Sequence, residues 1–206
     1  MSQEHHSREQ FEQMYAAAPP PWDIGRPQRA FVAAAERVSG RVLDAGCGTG
    51  ENALYLAERG HDVTGIDYLE TPIAAAQRKA KERNLQAEFL VRDATQLSQW
   101  DARFETIIDC GLFHVFSDED RARYVAGLEN VCLPGGQLLL MCFSDREPGT
   151  QGPRRISEAE FRSSFAAGWS VESLEPSRFE GREEDAKEFT AGGPHAWFAE
   201  ILRDGS

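Results

Sequence analysis

The chain has 206 residues, 41% of them hydrophobic, which is enough to bury the core of one domain. Its 34 acidic against 22 basic side chains leave a formal net charge of -12, and this argues against nucleic acid as a partner, because such binding needs a basic face. Four cysteines, Cys47, Cys110, Cys132 and Cys142, show no C-x-x-C or Cys/His spacing and read as reduced thiols of a cytoplasmic protein, with neither a disulfide framework nor a metal site. The start, Met1 to Gln13, is polar; it carries no signal peptide or membrane span, and no membrane partner is expected. His5-His6 in that tail reads as inert rather than as a metal-binding pair.

The first forty residues form a segment of their own. The spacing predicts a polar helix from Ser7 to Ala18, then Pro19-Pro20-Pro21, which cannot continue a helix, then a second helix from Arg29 to Val38. Trp22 and Asp23 directly follow the prolines. One reading has Trp22 anchoring the segment on the domain. The other makes residues 1–40 a helical lid, with Trp22 and Tyr15 over a bound ligand, since an aromatic face attracts a cation. Residues 41–206 are then the ligand-binding core, and the whole is one domain.

That core is organised around Arg41-Val-Leu-Asp-Ala-Gly-Cys-Gly-Thr-Gly-Glu-Asn52. A short apolar run ends in Asp44, glycines follow at positions 46, 48 and 50, and Ala53 to Arg59 has helical spacing. Strand, glycine turn and helix make the first half of a βαβ unit that lets a nucleotide-like ligand approach the backbone. The dinucleotide pattern G-x-G-x-x-G would need glycine at position 51, where Glu51 stands as a poor neighbour for pyrophosphate. No Gly-Lys-Ser/Thr follows to make a Walker turn. The acid-x-Gly-x-Gly-x-Gly arrangement instead resembles motif I of class I S-adenosylmethionine (SAM)-dependent methyltransferases, whose cofactor has no phosphate.

Beyond the turn the units alternate. Val63 to Ile66 is a strand ending in Asp67, an acid placed to accept ribose hydroxyls or simply to sit at the surface. A helix from Thr71 to Arg83 stops at Asn84. Ala87 to Val91 is a third strand with Asp93-Ala94 after it, Asp93 facing an adenine amino group or capping the next turn. The fourth strand, Phe104 to Asp109, is followed by Cys110-Gly-Leu-Phe-His114. Ligands of open parallel sheets lie beyond the carboxyl ends of the strands, so these residues stand near the reacting atoms. Then come a helix from Asp118 to Asn130, a turn at Leu133-Pro-Gly-Gly136 and the strongest strand, Gln137 to Phe143. A polar loop from Ser144 to Ile156 precedes a helix capped by Ser157 and running to about Ala167. Trp169 to Leu174 and His195 to Arg203 read as an antiparallel strand pair at one sheet edge, with Glu175 to Pro194 as a loop between them.

With these residues in place the chain resembles a class I SAM-dependent methyltransferase over roughly residues 20–203. The resemblance implies a Rossmann-like α/β fold, a seven-stranded and mostly parallel sheet with helices on both faces. It implies SAM as cofactor, S-adenosylhomocysteine as product, and no metal. By similarity Asp44, Gly46, Gly48 and Gly50 hold the methionine end, Asp67 the ribose, Asp93 the adenine, and Asp109 with Cys110 the adjoining wall, with Trp22, Cys47, Asn52, Tyr68 and Ala94 as further cofactor-binding residues. Pro21 to Gln28 together with Ile108 to Phe116 resembles small bacterial thiopurine, thiol and halide methyltransferases and the heterocyclic-toxin methyltransferases. The partner implied is a small-molecule methyl acceptor, methylated on O, N or S, with the protein a monomer or weak homodimer. Tyr15, Phe113, His114 and Phe143 are the candidate acceptor-binding residues, and the aromatic ones can equally be plain core. His114 is the candidate catalytic residue: a general base, a pocket donor without proton transfer, or a structural histidine. Two rivals remain, a non-catalytic SAM-binding regulator and a nicotinamide oxidoreductase, which calorimetry with SAM and NAD separates.

Overall fold

Strands β1 (Arg41–Ala45), β2 (Asp62–Asp67), β3 (Glu88–Val91), β4 (Phe104–Cys110), β5 (Cys132–Phe143), β6 (Trp169–Arg178) and β7 (His195–Arg203) form a seven-stranded sheet of order β3-β2-β1-β4-β5-β7-β6. The computed structural model describes residues 8–17, 19–182 and 186–205; His5-His6, and the expected helix ends Ser7 and Ala18, lie outside them. The pairs β1–β2, β1–β4, β2–β3 and β4–β5 are parallel, whereas β7 runs antiparallel to both β5 and β6. The reversed strand therefore lies between β5 and β6, and of the C-terminal pair β6 alone stands at a sheet edge, opposite β3 at the other.

Side-chain alternation gives the sheet two buried faces. Along β5, Leu138, Leu140 and Cys142 join one cluster, while Leu139, Met141 and Phe143 join the other. Along β7 the same alternation separates Trp197, Ala199 and Ile201 from Ala196 and Phe198. The first face is covered by α5 (Asp118–Val131) and α6 (Glu158–Ser164), through Tyr124, Leu128, Phe161 and Phe165. The second is covered by α2 (Arg29–Ala34), α3 (Glu51–Glu58) and α4 (Glu70–Glu82), through Phe31, Leu54, Leu56 and Ile73. Asn84, at φ 53°, ends α4 in the left-handed conformation that asparagine tolerates.

Several element boundaries differ from the sequence expectation. The Leu133-Pro-Gly-Gly136 turn lies inside β5, where the register slips against β4 between Phe104 and Thr106. The sixth strand continues past Leu174 to Arg178, so the loop expected from Glu175 onward starts later. Pro176 is tolerated within it because an edge strand does not need the missing N–H. The second helix is six α-helical residues followed by a 3-10 turn at Ala35–Arg37, and α6 stops at Ser164.

Helix α1 (Arg8–Ala17) and the proline segment are held against the core by specific polar bonds. Gln28, almost fully buried, exchanges two hydrogen bonds with the Glu180 backbone, each 2.8 Å. The Glu180 carboxylate accepts from Arg26 at 2.8 Å and from the Arg29 backbone N–H at 2.9 Å. Glu180→Ala is expected to cost only about 1 kcal/mol, because the Arg26 and Arg29 side chains and the Arg29 N–H bond are all exposed to solvent. Limited proteolysis should then cut the segment around residues 19–29 before the core unfolds. Cleavage no faster than in the unaltered protein would refute this role for Glu180.

Candidate active site

The site lies at the carboxyl ends of β1, β2 and β4. Asp44, at the tip of β1, is 1% exposed, and its Oδ2 has no hydrogen-bond partner. Burial, then the neighbouring Asp109 carboxylate, push its pKa up to about 8. The glycine turn follows at once. Gly46, Gly48 and Gly50 all have positive φ, and at Gly50 a Cβ would lie 2.9 Å from both Ala76 Cβ and the Phe89 ring. Glycine at position 50 is thus required twice, by backbone angle and by space.

Asp67 closes the turn from below. Its carboxylate accepts from the Gly48 N–H at 3.1 Å and the Leu69 N–H at 3.0 Å, and burial raises its pKa to about 6. Above the turn sits α1: the hypothetical Cβ of Gly48 would be 3.1 Å from the Tyr15 hydroxyl. Tyr15 accepts from Trp22 Nε1 at 3.2 Å, Phe11 packs edge-on against Trp22 and Tyr68, and Trp22 keeps 44% of its surface exposed. Asp23 accepts from Thr49 Oγ1 at 3.0 Å, and Asn52 Oδ1 accepts from the Gln28 N–H at 3.1 Å, so the proline segment is tied to the turn itself. Burial raises the pKa of both Cys47 and Cys110, leaving them as thiols beside this cleft.

Some expected site residues are engaged elsewhere. Phe113 is fully buried between Phe161 and Phe165 with Arg121 over its ring, a core position on the α5/α6 side of the sheet and not a pocket wall. Asp109 accepts from the Leu112 N–H at 2.8 Å, the Phe113 N–H at 3.1 Å and the Tyr124 hydroxyl at 2.9 Å; its oxygens organise the turn after β4. Burial still holds its pKa near 7. Asp93 accepts from the Thr95 N–H and Oγ1, both at 2.8 Å, and so caps the 3-10 turn that begins at Ala94. Glu51 is paired with Lys79 at 2.8 Å and Arg83 at 2.9 Å, so its charge is compensated. The argument against a diphosphate therefore passes from Glu51 to the buried acids Asp44, Asp67 and Asp109, which offer it no positive counter-charge.

A second, aromatic group adjoins this cleft at the ends of β4 to β6. His114 meets Phe143 edge-on at 5.2 Å between ring centroids and Phe179 at 5.9 Å; Phe179 and Phe189 both pack on Phe143. Arg155 lies over the Phe143 ring at 5.2 Å. His114 is 5% exposed and its Nδ1 accepts from the Phe143 N–H at 2.9 Å. Sequence reasoning missed Arg155, Phe179 and Phe189, which lie in stretches whose composition reads as loop. Among the described residues, no cluster of three or more His, Cys, Asp or Glu side chains could hold a metal ion.

Comparison with known proteins agrees with this geometry. A family model described as a methyltransferase domain matches residues 42–136. A 2-heptyl-1-hydroxyquinolin-4(1H)-one methyltransferase of Mycobacteroides abscessus is 40% identical over 167 residues, covering 79% of this chain and 74% of that protein. The chain belongs to the class I SAM-dependent methyltransferases. A solved structure from work on the conversion of a disulfide bond into a thioacetal group during echinomycin biosynthesis superposes with a TM-score of 0.85 at 38% identity, covering 96% of this chain and 93% of the other. The 1,6-didemethyltoxoflavin-N1-methyltransferase of Burkholderia thailandensis, at 22% identity and a TM-score of 0.73 over 96% of this chain and 87% of its own, shares the fold.

Proposed function

We propose that this protein transfers the methyl group of SAM to a ring oxygen or nitrogen of a small heteroaromatic molecule. The observation that carries the cofactor assignment is Asp44: a buried carboxylate oxygen without a partner, beside a backbone turn that only glycine can make. Such an orphan acceptor fits the ammonium of the methionine end. Gly46, Cys47, Gly48, Gly50 and Asn52 line that end. Asp67 and Tyr68 take the ribose, Asp93 and Ala94 the adenine, and Asp109 with Cys110 form the adjoining wall. Bound there, SAM supplies an electrophilic methyl carbon on a sulfonium. Residues 1–40 serve as a lid through Tyr15 and Trp22, whose rings favour a nearby positive charge.

The acceptor class is supported by the aromatic group of His114, Phe143 and Phe179 beside the cleft, and by the hydroxyquinolone relative. A flat ring stacks well against such walls. The protein acts as a monomer or weak homodimer on a diffusible substrate in the cytoplasm, a reading supported by its four free cysteines, and takes neither nucleic acid nor membrane as partner. Calorimetry with SAM and with NAD tests the cofactor. Release of S-adenosylhomocysteine in the presence of thiols, halides, phenols and hydroxyquinolones tests the acceptor. Turnover confined to thiols or halides would overturn the heteroaromatic assignment.

The buried acids make cofactor binding depend on pH. Asp44, near 8, and Asp67, near 6, hold protons in the empty protein that a cation displaces. SAM affinity should therefore rise with pH between about 6 and 8, with proton release on binding. Calorimetry in buffers of different ionisation enthalpy reads that release directly; an affinity flat across this window would count against contact with either acid.

A further inference from the structure

His114 carries a constraint that the methyltransferase reading leaves unused. A neutral imidazole has one lone-pair nitrogen and one N–H. Here Nδ1 is the acceptor, bound to the Phe143 N–H at 2.9 Å, so the ring proton sits on Nε2. Burial, then the positive charge of Arg155, lower the His114 pKa to about 3, so the ring stays neutral throughout the working range. Nε2 makes no hydrogen bond among the described residues, and it faces Gly111, where a Cβ would stand 3.5 Å from Nε2 and 3.8 Å from the Phe179 ring, so any side chain at position 111 would lie against this edge of the imidazole. A base at this position would have to break the Phe143 bond and change tautomer first.

The charged group facing His114 is Arg155, from the loop after β5. Its guanidinium donates to the carbonyls of Glu147, Pro148, Gln151 and Pro153, and to no carboxylate among the described residues. Glu147, the acid that acts on it electrostatically, spends its own oxygens on the Thr190 and His195 N–H groups, at 2.9 and 2.8 Å. Among the described residues, then, His114 offers an N–H donor and Arg155 a positive charge, and neither is in a state to take a proton.

Resting on the methyltransferase reading, we propose that His114 is a fixed hydrogen-bond donor to an acceptor bound as its anion, with Arg155 supplying the compensating charge. The acceptor's proton goes to solvent before binding. The lone pair of the anionic oxygen or nitrogen then forms the bond to the methyl carbon, the carbon–sulfur bond breaks, and its electron pair stays on sulfur. Anion and sulfonium become two neutral products, a change that surroundings of buried aromatic side chains such as Phe143 and Phe179 favour.

The test uses the full-length protein, saturating SAM, and 1-hydroxyquinolin-4(1H)-ones substituted to span a range of acidities. The midpoint of kcat/KM against pH should move with the acidity of the ring. In the S-adenosylhomocysteine complex, difference absorbance should show the bound ring ionised at a pH where the free ring is neutral. His114→Ala should lower kcat/KM on the order of 10–100-fold, the loss of one hydrogen bond to a charged group, with SAM affinity unchanged. His114→Gln, whose amide N–H reaches the place of Nε2, should recover most of it. One midpoint shared by every ring, or a Gln variant no better than Ala, overturns the proposal, as does absence of turnover for all rings while SAM still binds. Loss of SAM binding in the unaltered protein would instead overturn the methyltransferase reading itself.

Discussion

Asp44→Asn is expected to lose most SAM binding while making the empty protein more resistant to heat. The carboxylate is buried with one oxygen unpaired and close enough to Asp109 for the two charges to repel. The folded pKa, near 8, lies above the ordinary carboxylate value of 3.8, so the empty protein binds an extra proton in the window between them. Stability associated with this group is present at low pH and is lost as pH rises toward 8. Asparagine keeps the shape and removes that loss. The variant's thermal midpoint should match the unaltered protein only below about pH 4, where both states are protonated, and exceed it by a margin that grows as pH rises to about 8. Against the cationic cofactor the sign reverses: removing a buried counter-charge costs about 2–5 kcal/mol of binding. Calorimetry and thermal melts on one preparation decide both halves; SAM affinity within a few-fold of the original would mean that Asp44 is not its partner.

Gly50→Val should be the most damaging change in the turn. The residue has φ 85°, which strains any branched side chain, and its Cβ would press into Ala76 and Phe89 at 2.9 Å. Strain of ~1–3 kcal/mol and overpacking of ~1–3 kcal/mol add to roughly 2–6 kcal/mol. For a chain of this size that is a fall of roughly 5–20 °C in melting temperature. Gly60→Val separates the two terms, because Gly60 has φ 90° but nothing within 4 Å of the added Cβ. Equal losses in the two variants would show that crowding against Phe89 contributes nothing.

Much of the frame was readable from residue order. The acid-and-glycine turn reads correctly because backbone sterics leave few residues able to form it, and Asp44, Gly46 and Gly50 stand at the positive-φ bends and strand tip that the spacing implied. The central strands read correctly because apolar runs buried on both faces leave a strong pattern. The sixth strand was cut short because an edge strand with Pro176 and alternating polar residues looks like loop. Side-chain direction was the harder problem. Phe113 and His114 are neighbours in sequence within one 3-10 turn, yet Phe113 packs under α5 and α6 while His114 packs on the opposite cluster with Phe143 and Phe179. No spacing rule decides that. Arg155 was invisible for another reason, since its placement depends on carbonyls of a loop whose path only the folded chain defines.

The stitching of the proline segment also has a bearing on how the two ligands sense each other. Phe179, a wall of the His114 pocket, is followed by Glu180, which grips Gln28 and Arg26; three residues before Arg26, Asp23 holds Thr49 in the glycine turn. One continuous run of contacts therefore joins the His114 side of the site to the glycine turn. Thermodynamic reciprocity then requires that whatever factor acceptor occupancy applies to the cofactor's dissociation constant, the cofactor applies equally to that of the acceptor.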